Sequence, residues 1–167
     1  MTPGTIADAF LSELEVEMPT TRRLLERVPG EKGAWKPHVK SFSLGHLAQL
    51  VARMPGWITH TMRASVLDLS GAPKYSLEST ETLLAEFDRN VSEAREALAG
   101  AKDADFLEPW SLKAGERVLF TQPRIAVMRQ NVNHLAHHRG QLTVYLRLLD
   151  VPLPSIYGPT ADTPWGS

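Results

Sequence analysis

The chain contains no cysteine among its 167 residues. Disulfide bonds, thiolate metal ligands and a cysteine nucleophile are therefore excluded. A bound metal ion would have to take its ligands from histidine, aspartate, glutamate or water. Disulfides mark oxidising compartments, so their exclusion also favours a cytoplasmic protein.

Long apolar runs and an excess of one charge are missing as well. No stretch approaches the roughly 20 apolar residues that a membrane-spanning helix needs. Residues 1–15 place acidic side chains among apolar ones and do not read as a signal peptide. The 18 Lys and Arg residues nearly balance the 19 Asp and Glu residues, for a net charge of −1. We therefore expect neither a nucleic-acid nor a membrane partner.

Apolar residues recur at helical spacing in four segments, which predicts four α-helices in a single domain over residues 1–167. A chain of this length can bury roughly two-thirds of its unfolded surface. Pro19 falls inside the first segment and should kink or split it, with Thr20 or Thr21 capping the second half. The helices are expected at about 6–28, from Ser43 to about 62, from 79 or 80 to 98, and from Pro123 to about 149.

The helical pattern stops between Phe106 and Gln122. This segment predicts an extended connection or a small hairpin that turns near Gly115. The sequence shows no internal repeat and no domain boundary. Its four helical segments therefore predict a single all-α domain, a four-helix bundle. The tryptophans are expected in the core or at an interface rather than around a cofactor. They are Trp35, Trp57, Trp110 and Trp165.

The clearest chemical signal is a pair of histidines in the last predicted helix. His134 and His138 stand four residues apart, so their side chains lie on one helix face. Imidazole nitrogen suits zinc, nickel and copper, and bundles build metal sites from facing helices. The pair is a candidate half-site for a divalent transition metal, although surface histidines can show the same spacing. It is not the His-Glu-x-x-His motif, because Leu135 and Ala136 follow His134.

Other residues of the sequence have candidate roles near this pair or elsewhere in the last helix. His46 lies near the start of the second helix, where helix packing could bring it to the pair or where it could bond to backbone. Gln141 and Tyr157 are candidates for the mouth of the site. Arg139 falls close to an apolar stripe, which predicts pairing with an acid, capping of a carbonyl or binding of an anionic substrate group. Gly140 costs a helix about 1 kcal/mol relative to Ala, and close approach of another helix would explain it.

Several segments together carry a family resemblance over nearly the whole chain. They are residues 21–29, 35–38, 43–47 and 55–57, and above all residues 133–159, NHLAHHRGQLTVYLRLLDVPLPSIYGP. On these motifs the chain resembles the DinB-like (DinB/YfiT) family of bacterial proteins. The resemblance implies an up-down-down-up bundle, often a homodimer, that holds a divalent metal such as zinc or nickel with three histidines. Two of these match His134 and His138.

The sequence departs from the family pattern in the second helix. The family's first histidine usually follows Ser-Leu-Gly-x-Leu-x-x, and the corresponding residue here is Leu50. His46 stands one turn earlier on the same face, about 6 Å along the axis at ~1.5 Å per residue. Either His46 is the third ligand, or the third ligand is lost and metal is held weakly or is absent.

The family resemblance and the departure at Leu50 leave two candidate functions. The resemblance implies a cytoplasmic metal-dependent enzyme, in which His134, His138 and His46 hold the metal. The metal would activate water or a low-molecular-weight thiol for hydrolysis or thiol transfer to a small-molecule substrate. The alternative is a catalytically degenerate dimeric bundle that binds a small ligand or a protein. DNA binding, which the family name suggests, is disfavoured by the net charge of −1.

Overall fold

The computed structural model describes residues 4–71, 74–76 and 79–164. Most of the chain lies in long helices that begin at capped positions. Ser43 accepts a hydrogen bond from the His46 amide and caps the second helix, which confirms the predicted start. Capping boxes start the first helix, at Thr5, and the third, at Ser79. The helices are α1 (Ile6–Leu25), α2 (Leu44–Arg63), α3 (Thr80–Ala99) and α4 (Arg124–Leu148).

Helix α1 is continuous through Pro19, so the predicted split is wrong. The Thr20 hydroxyl donates to the Val16 carbonyl at 3.3 Å, and the Thr21 hydroxyl donates to the Glu17 carbonyl at 2.7 Å. Both threonines bond backwards along the same helix and cap nothing. These bonds supply donors in the turn where proline removes a backbone N–H.

The directions of the helices follow from the residue pairs that join them. Helix α1 runs antiparallel to α3, α3 runs parallel to α2, and α4 runs antiparallel to α2, so the four helices run up, down, down and up. The pairs Glu15–Arg95 and Arg22–Asp88 join α1 to α3. The pairs Arg53–Glu86 and Arg63–Glu96 join α2 to α3. The pairs Trp57–His134 and Thr61–Asn131 join α2 to α4.

A three-stranded mixed sheet lies beside the helices, so the all-α prediction is wrong. Its strands are β1 (Val66–Asp68), β2 (Pro109–Ala114) and β3 (Arg117–Pro123). Strands β2 and β3 form an antiparallel hairpin whose turn includes Gly115, at φ 60°. Strand β1 pairs in parallel with β2, with Leu67 opposite Leu112. Strand β1 directly follows α2 and strand β3 directly precedes α4, so the sheet lies where the end of α2 meets the start of α4.

The core fills the space between the helices, and none of the helices in the described ranges is both long and apolar enough to cross a membrane. Arg139 is among the largest fully buried side chains. The others are Phe87, Phe106, Leu14, Leu24, Leu25, Leu44, Leu47, Met54, Leu83, Leu98 and Met128. Among these largest buried side chains Arg139, where α1 and α4 meet, is the one that carries a charge.

Gly140 lies on an exposed face of α4. Apart from the helix's own backbone, no atom of the described residues would lie within 4 Å of a Cβ added there. The prediction that another helix of the chain packs closely against this glycine is therefore wrong. We expect Gly140→Ala to raise the free energy of unfolding by about 0.5–1 kcal/mol, because alanine loses less backbone entropy in a helix. Urea denaturation monitored by circular dichroism measures this change.

Gly56 provides the matched control for that prediction. A Cβ at Gly56 would meet the Asn90 side-chain oxygen at 3.1 Å, where α2 and α3 pack closely. Gly56→Ala should therefore gain less stability than Gly140→Ala or lose some. Equal gains at both positions would show that packing around these glycines does not matter.

Candidate metal centre and adjoining cavity

His134 and His138 point their rings at one another on the surface of α4 that faces α2. Their Nε2 atoms are 2.8 Å apart and their ring centroids 4.6 Å apart. His138 is 8% exposed, whereas His134 lies at the surface. The spacing in the sequence thus brings two imidazole nitrogens to one point, as predicted from the helix repeat.

Gln141 fixes the tautomer of His138. The Gln141 side-chain oxygen can only accept, so His138 Nδ1 donates to it, at 2.7 Å. In the neutral ring the Nε2 atom then carries a lone pair and accepts from His134 Nε2. The Gln141 amide nitrogen in turn donates to His137 Nε2 at 3.0 Å. Gln141 is therefore an orienting partner of a candidate ligand, a role that its spacing of three from His138 could have indicated.

Burial lowers the pKa of both histidines from the ordinary value for imidazole. The neighbouring histidines lower the pKa further, since one positive ring disfavours another, while the Gln141 hydrogen bond partly opposes the shift at His138. These shifts favour the neutral form of both rings. A neutral imidazole is the form that binds a transition metal.

His46 lies in an aromatic stack rather than between the two histidines. Its ring is stacked on Phe42 at 4.2 Å and on Tyr75 at 4.0 Å between centroids. Phe42 also lies 6.5 Å from the His138 ring. In the described ranges no three His, Cys, Asp or Glu side chains are grouped so that they could hold a metal. His46 as the third ligand stays a prediction.

Leu50 is 7% exposed and belongs to the core. It shares a face of α2 with His46, one turn before it, and with Trp57, two turns after it. Trp57 contacts His134 at 5.4 Å between ring centroids, and the Phe42 carbonyl accepts from the Tyr145 hydroxyl at 3.3 Å. Because α2 and α4 are antiparallel, Leu50 lies between the contact of Trp57 with His134 and the contact of Phe42 with Tyr145. This places it opposite the turn of α4 that carries His138.

A cavity of about 690 Å³ opens beside His134, which forms part of its wall. Elements far apart in sequence build it: the second half of α2, the sheet, and the first turns of α4. Its aromatic walls come from Trp57, Tyr75, Trp110 and Phe120. Sequence reasoning assigned Trp57 and Trp110 to the core or an interface and missed this cavity; Trp165 lies outside the described residues.

Arg139 and Tyr157 belong to a different part of the molecule. Arg139 pairs with Glu17 at 2.5 Å, which confirms the predicted partnership with an acid, and it donates to the Thr21 hydroxyl at 2.9 Å. The Tyr157 hydroxyl donates to the Glu17 carboxylate at 3.1 Å. Tyr157 therefore ties the C-terminal segment to α1 and does not line the cavity beside His134.

Comparison with known proteins agrees with this architecture. The chain is 25% identical over 158 residues to the uncharacterised protein YrdA of Bacillus subtilis, covering 93% of this chain and 90% of YrdA. A DinB-like protein of Bacillus cereus has the same fold, with a TM-score of 0.72, 24% identity and coverage of 92% and 98%. The DinB-like protein YjoA of Bacillus subtilis aligns with a TM-score of 0.68, 16% identity and coverage of 89% and 96%. Residues 13–142 match the DinB superfamily, and the chain belongs to that superfamily.

Proposed function

We propose that this protein is a metal-dependent enzyme that acts on a small molecule held in the cavity beside His134. The observation that carries the proposal is the convergence of two imidazole nitrogens, 2.8 Å apart, one of which belongs to a ring on the wall of the cavity of about 690 Å³. Cavities of roughly 300–1,000 Å³ are typical of small-molecule sites. The arrangement puts candidate metal ligands next to space for a substrate.

The residues present fit a divalent transition metal held by two protein ligands. His134 and His138 would supply Nε2 donors, and Gln141 would hold the His138 ring in the required tautomer. Catalytic zinc sites usually have three protein ligands, so we expect weaker binding here. When bound, zinc or nickel would supply Lewis acidity that makes water or a low-molecular-weight thiol nucleophilic at neutral pH.

The chain's own residues prepare the site in two ways. Burial lowers the pKa of His134 and His138 and so favours the neutral rings that a metal needs. To bind through Nε2, the His134 ring would carry its proton on Nδ1 instead. Trp57 packs against the His134 ring, and both side chains line the cavity. A substrate in the cavity would thus lie against an aromatic wall with His134 at one edge.

Metal binding tests the proposal directly. Protein purified without an affinity tag should bind Zn²⁺ or Ni²⁺ in equilibrium dialysis with close to one ion per chain. We expect His138→Ala to weaken this binding more than the roughly 10–100-fold that loss of a second-shell partner costs, because a ligand itself is removed. His38→Ala is the control, since His38 is exposed in a loop, where its ring accepts a hydrogen bond from the nearby Lys40 amide.

Equal metal affinity in the His138→Ala and His38→Ala variants would contradict the proposal. The outcome would mean that any bound metal sits elsewhere. Circular dichroism spectra of both variants guard against misreading a folding defect as a loss of metal, because an unfolded variant would lose its helical signal.

A second candidate function is a binding module without catalysis. The burial of Leu50 in the core and the stacking of His46 favour it, since neither residue contributes a donor at the histidine pair. In this case the cavity would hold a ligand and leave it unchanged. The homodimer implied by the family resemblance remains a prediction that sedimentation equilibrium can test.

A further inference from the structure

One face of the three-stranded sheet forms an apolar wall of the cavity beside His134. Strand pairing sets Leu67 opposite Leu112 and Leu112 opposite Phe120, so the three side chains lie in one row across the sheet. All three line the cavity, whereas Ser111, which points to the other face, does not. None of the three is buried, so the row borders open space rather than packed protein.

The burial of the lining residues differs along the cavity. Val127 and Thr61 are buried at one end, where the Thr61 hydroxyl accepts from the Asn131 side chain at 3.3 Å. At the other end, the mouth, His134 is exposed and lies beside Trp57. The step from Val127 to His134 spans about 10 Å along α4. The interior can therefore take an apolar ring system, while a group near His134 stays in contact with water.

Arg53 and Asp68 carry the charges among the described lining residues, and both already have partners. Arg53 pairs with Glu86 at 2.8 Å. Asp68 accepts from the Ser70 amide at 2.9 Å and from the Gly115 amide at 3.0 Å. A charge carried into the interior of the cavity would therefore lose its hydration without gaining a free counterion.

We propose that the cavity binds the uncharged ring system of a substrate against the apolar row of the sheet and leaves the substrate's polar end at the mouth, beside His134. The proposal rests on the proposed function, because it names the substrate class of the same cavity: an aromatic molecule with one polar end. Trp57, Tyr75 and Trp110 extend the apolar wall with ring surface, on which aromatic rings pack favourably. In this orientation the polar end lies next to a candidate metal ligand.

Two fluorescent probes with the same rings and the same charge test this orientation. In 2-anilinonaphthalene-6-sulfonate the sulfonate lies at one end of the molecule, whereas in 8-anilinonaphthalene-1-sulfonate it lies between the two ring systems. Burying both ring systems therefore buries the charge of the second probe only. We expect the first probe to bind at least tenfold more tightly, because a charge without a counterion is costly to bury. The rise in probe fluorescence on binding measures both affinities.

Intermolecular NOEs in the wild-type protein locate the two ends of 2-anilinonaphthalene-6-sulfonate. Its phenyl protons should contact the methyl groups of Leu67 and Leu112, and the naphthalene protons beside the sulfonate should contact the His134 ring. This measurement needs no variant to fold. Phenyl contacts to His134, or methyl contacts at the exposed Leu119 alone, would overturn the inference.

A pair of variants assigns the affinity to the cavity. Leu112→Trp puts a larger side chain into the space for the rings, so 2-anilinonaphthalene-6-sulfonate should bind at least tenfold more weakly. Leu119→Trp is the matched control and should bind this probe as the wild type does. Leu119 lies in the same hairpin, is exposed and does not line the cavity. Equal affinity in the two folded variants, as checked by circular dichroism, would contradict the inference.

The outcomes separate this inference from the metal proposal. All measurements use protein treated with EDTA, and they are repeated on His138→Ala, since His138 does not line the cavity. The difference in affinity between the two probes should be the same in this variant. Equal affinity for both probes, or tighter binding of 8-anilinonaphthalene-1-sulfonate, would overturn the inference. A failure of metal binding alone would leave the difference between the probes intact.

Discussion

Replacing Arg139 by methionine is expected to lower the free energy of unfolding by about 3–5 kcal/mol, the cost of breaking a buried ion pair at one end. The Arg139 side chain is 1% exposed and its partner Glu17 is 9% exposed. Removing the guanidinium leaves the Glu17 carboxylate buried, with the Tyr157 hydroxyl as the remaining side-chain donor to it among the described residues. Methionine keeps the unbranched shape of the side chain, so the change reports mainly on the lost charge.

Two comparisons sharpen this prediction, which urea denaturation would measure. Arg95→Met removes an exposed ion pair with Glu15, whose side chain is 60% exposed, and should cost less than about 1 kcal/mol. Adding Glu17→Met to Arg139→Met should recover most of the loss, since no uncompensated charge then remains. A loss below 1 kcal/mol for Arg139→Met would show that water reaches Glu17 and that the pair is not a buried anchor.

The same ion pair illustrates what a sequence can and cannot reveal. An arginine close to an apolar stripe of α4 is visible in the sequence, and it correctly indicates a partner. The identity of that partner is not visible, because Glu17 lies 122 positions away on α1. Local patterns fix where helices begin, as at Ser43, but pairings between distant helices depend on how the whole chain packs.

Strand β1 and the cavity were missed for a related reason, whereas the hairpin that turns near Gly115 was predicted. Strand β1 is three residues long, too short to show alternation, and it forms only because β2 pairs with it from far along the chain. Trp57 and Trp110 belong to different elements, and either one alone reads as a core residue. Their shared cavity exists only once the sheet lies against α2. The histidine pair was accessible because a single helix repeat brings both rings together.

The last prediction concerns Leu50, where the family pattern usually has histidine. We expect Leu50→His to raise the affinity for Zn²⁺ or Ni²⁺ by more than about 100-fold, because three imidazoles replace two and typical catalytic zinc sites have three protein ligands. The position lies on the face of α2 that carries Trp57, opposite the α4 turn of His138. Without metal the variant should be less stable than the wild type, since a polar ring replaces a buried leucine. Bound metal should restore that stability by linkage.

Isothermal titration with each metal, and thermal unfolding with and without it, would measure both effects. Leu50→Gln is the control for polarity at this position and should lose stability without gaining metal affinity. The double variant with His138→Ala should lose the gain, because the new imidazole would again face a single partner. If Leu50→His binds metal no better than the wild type, the third ligand is not missing, and His46 would then leave its stack between Phe42 and Tyr75 to complete the site.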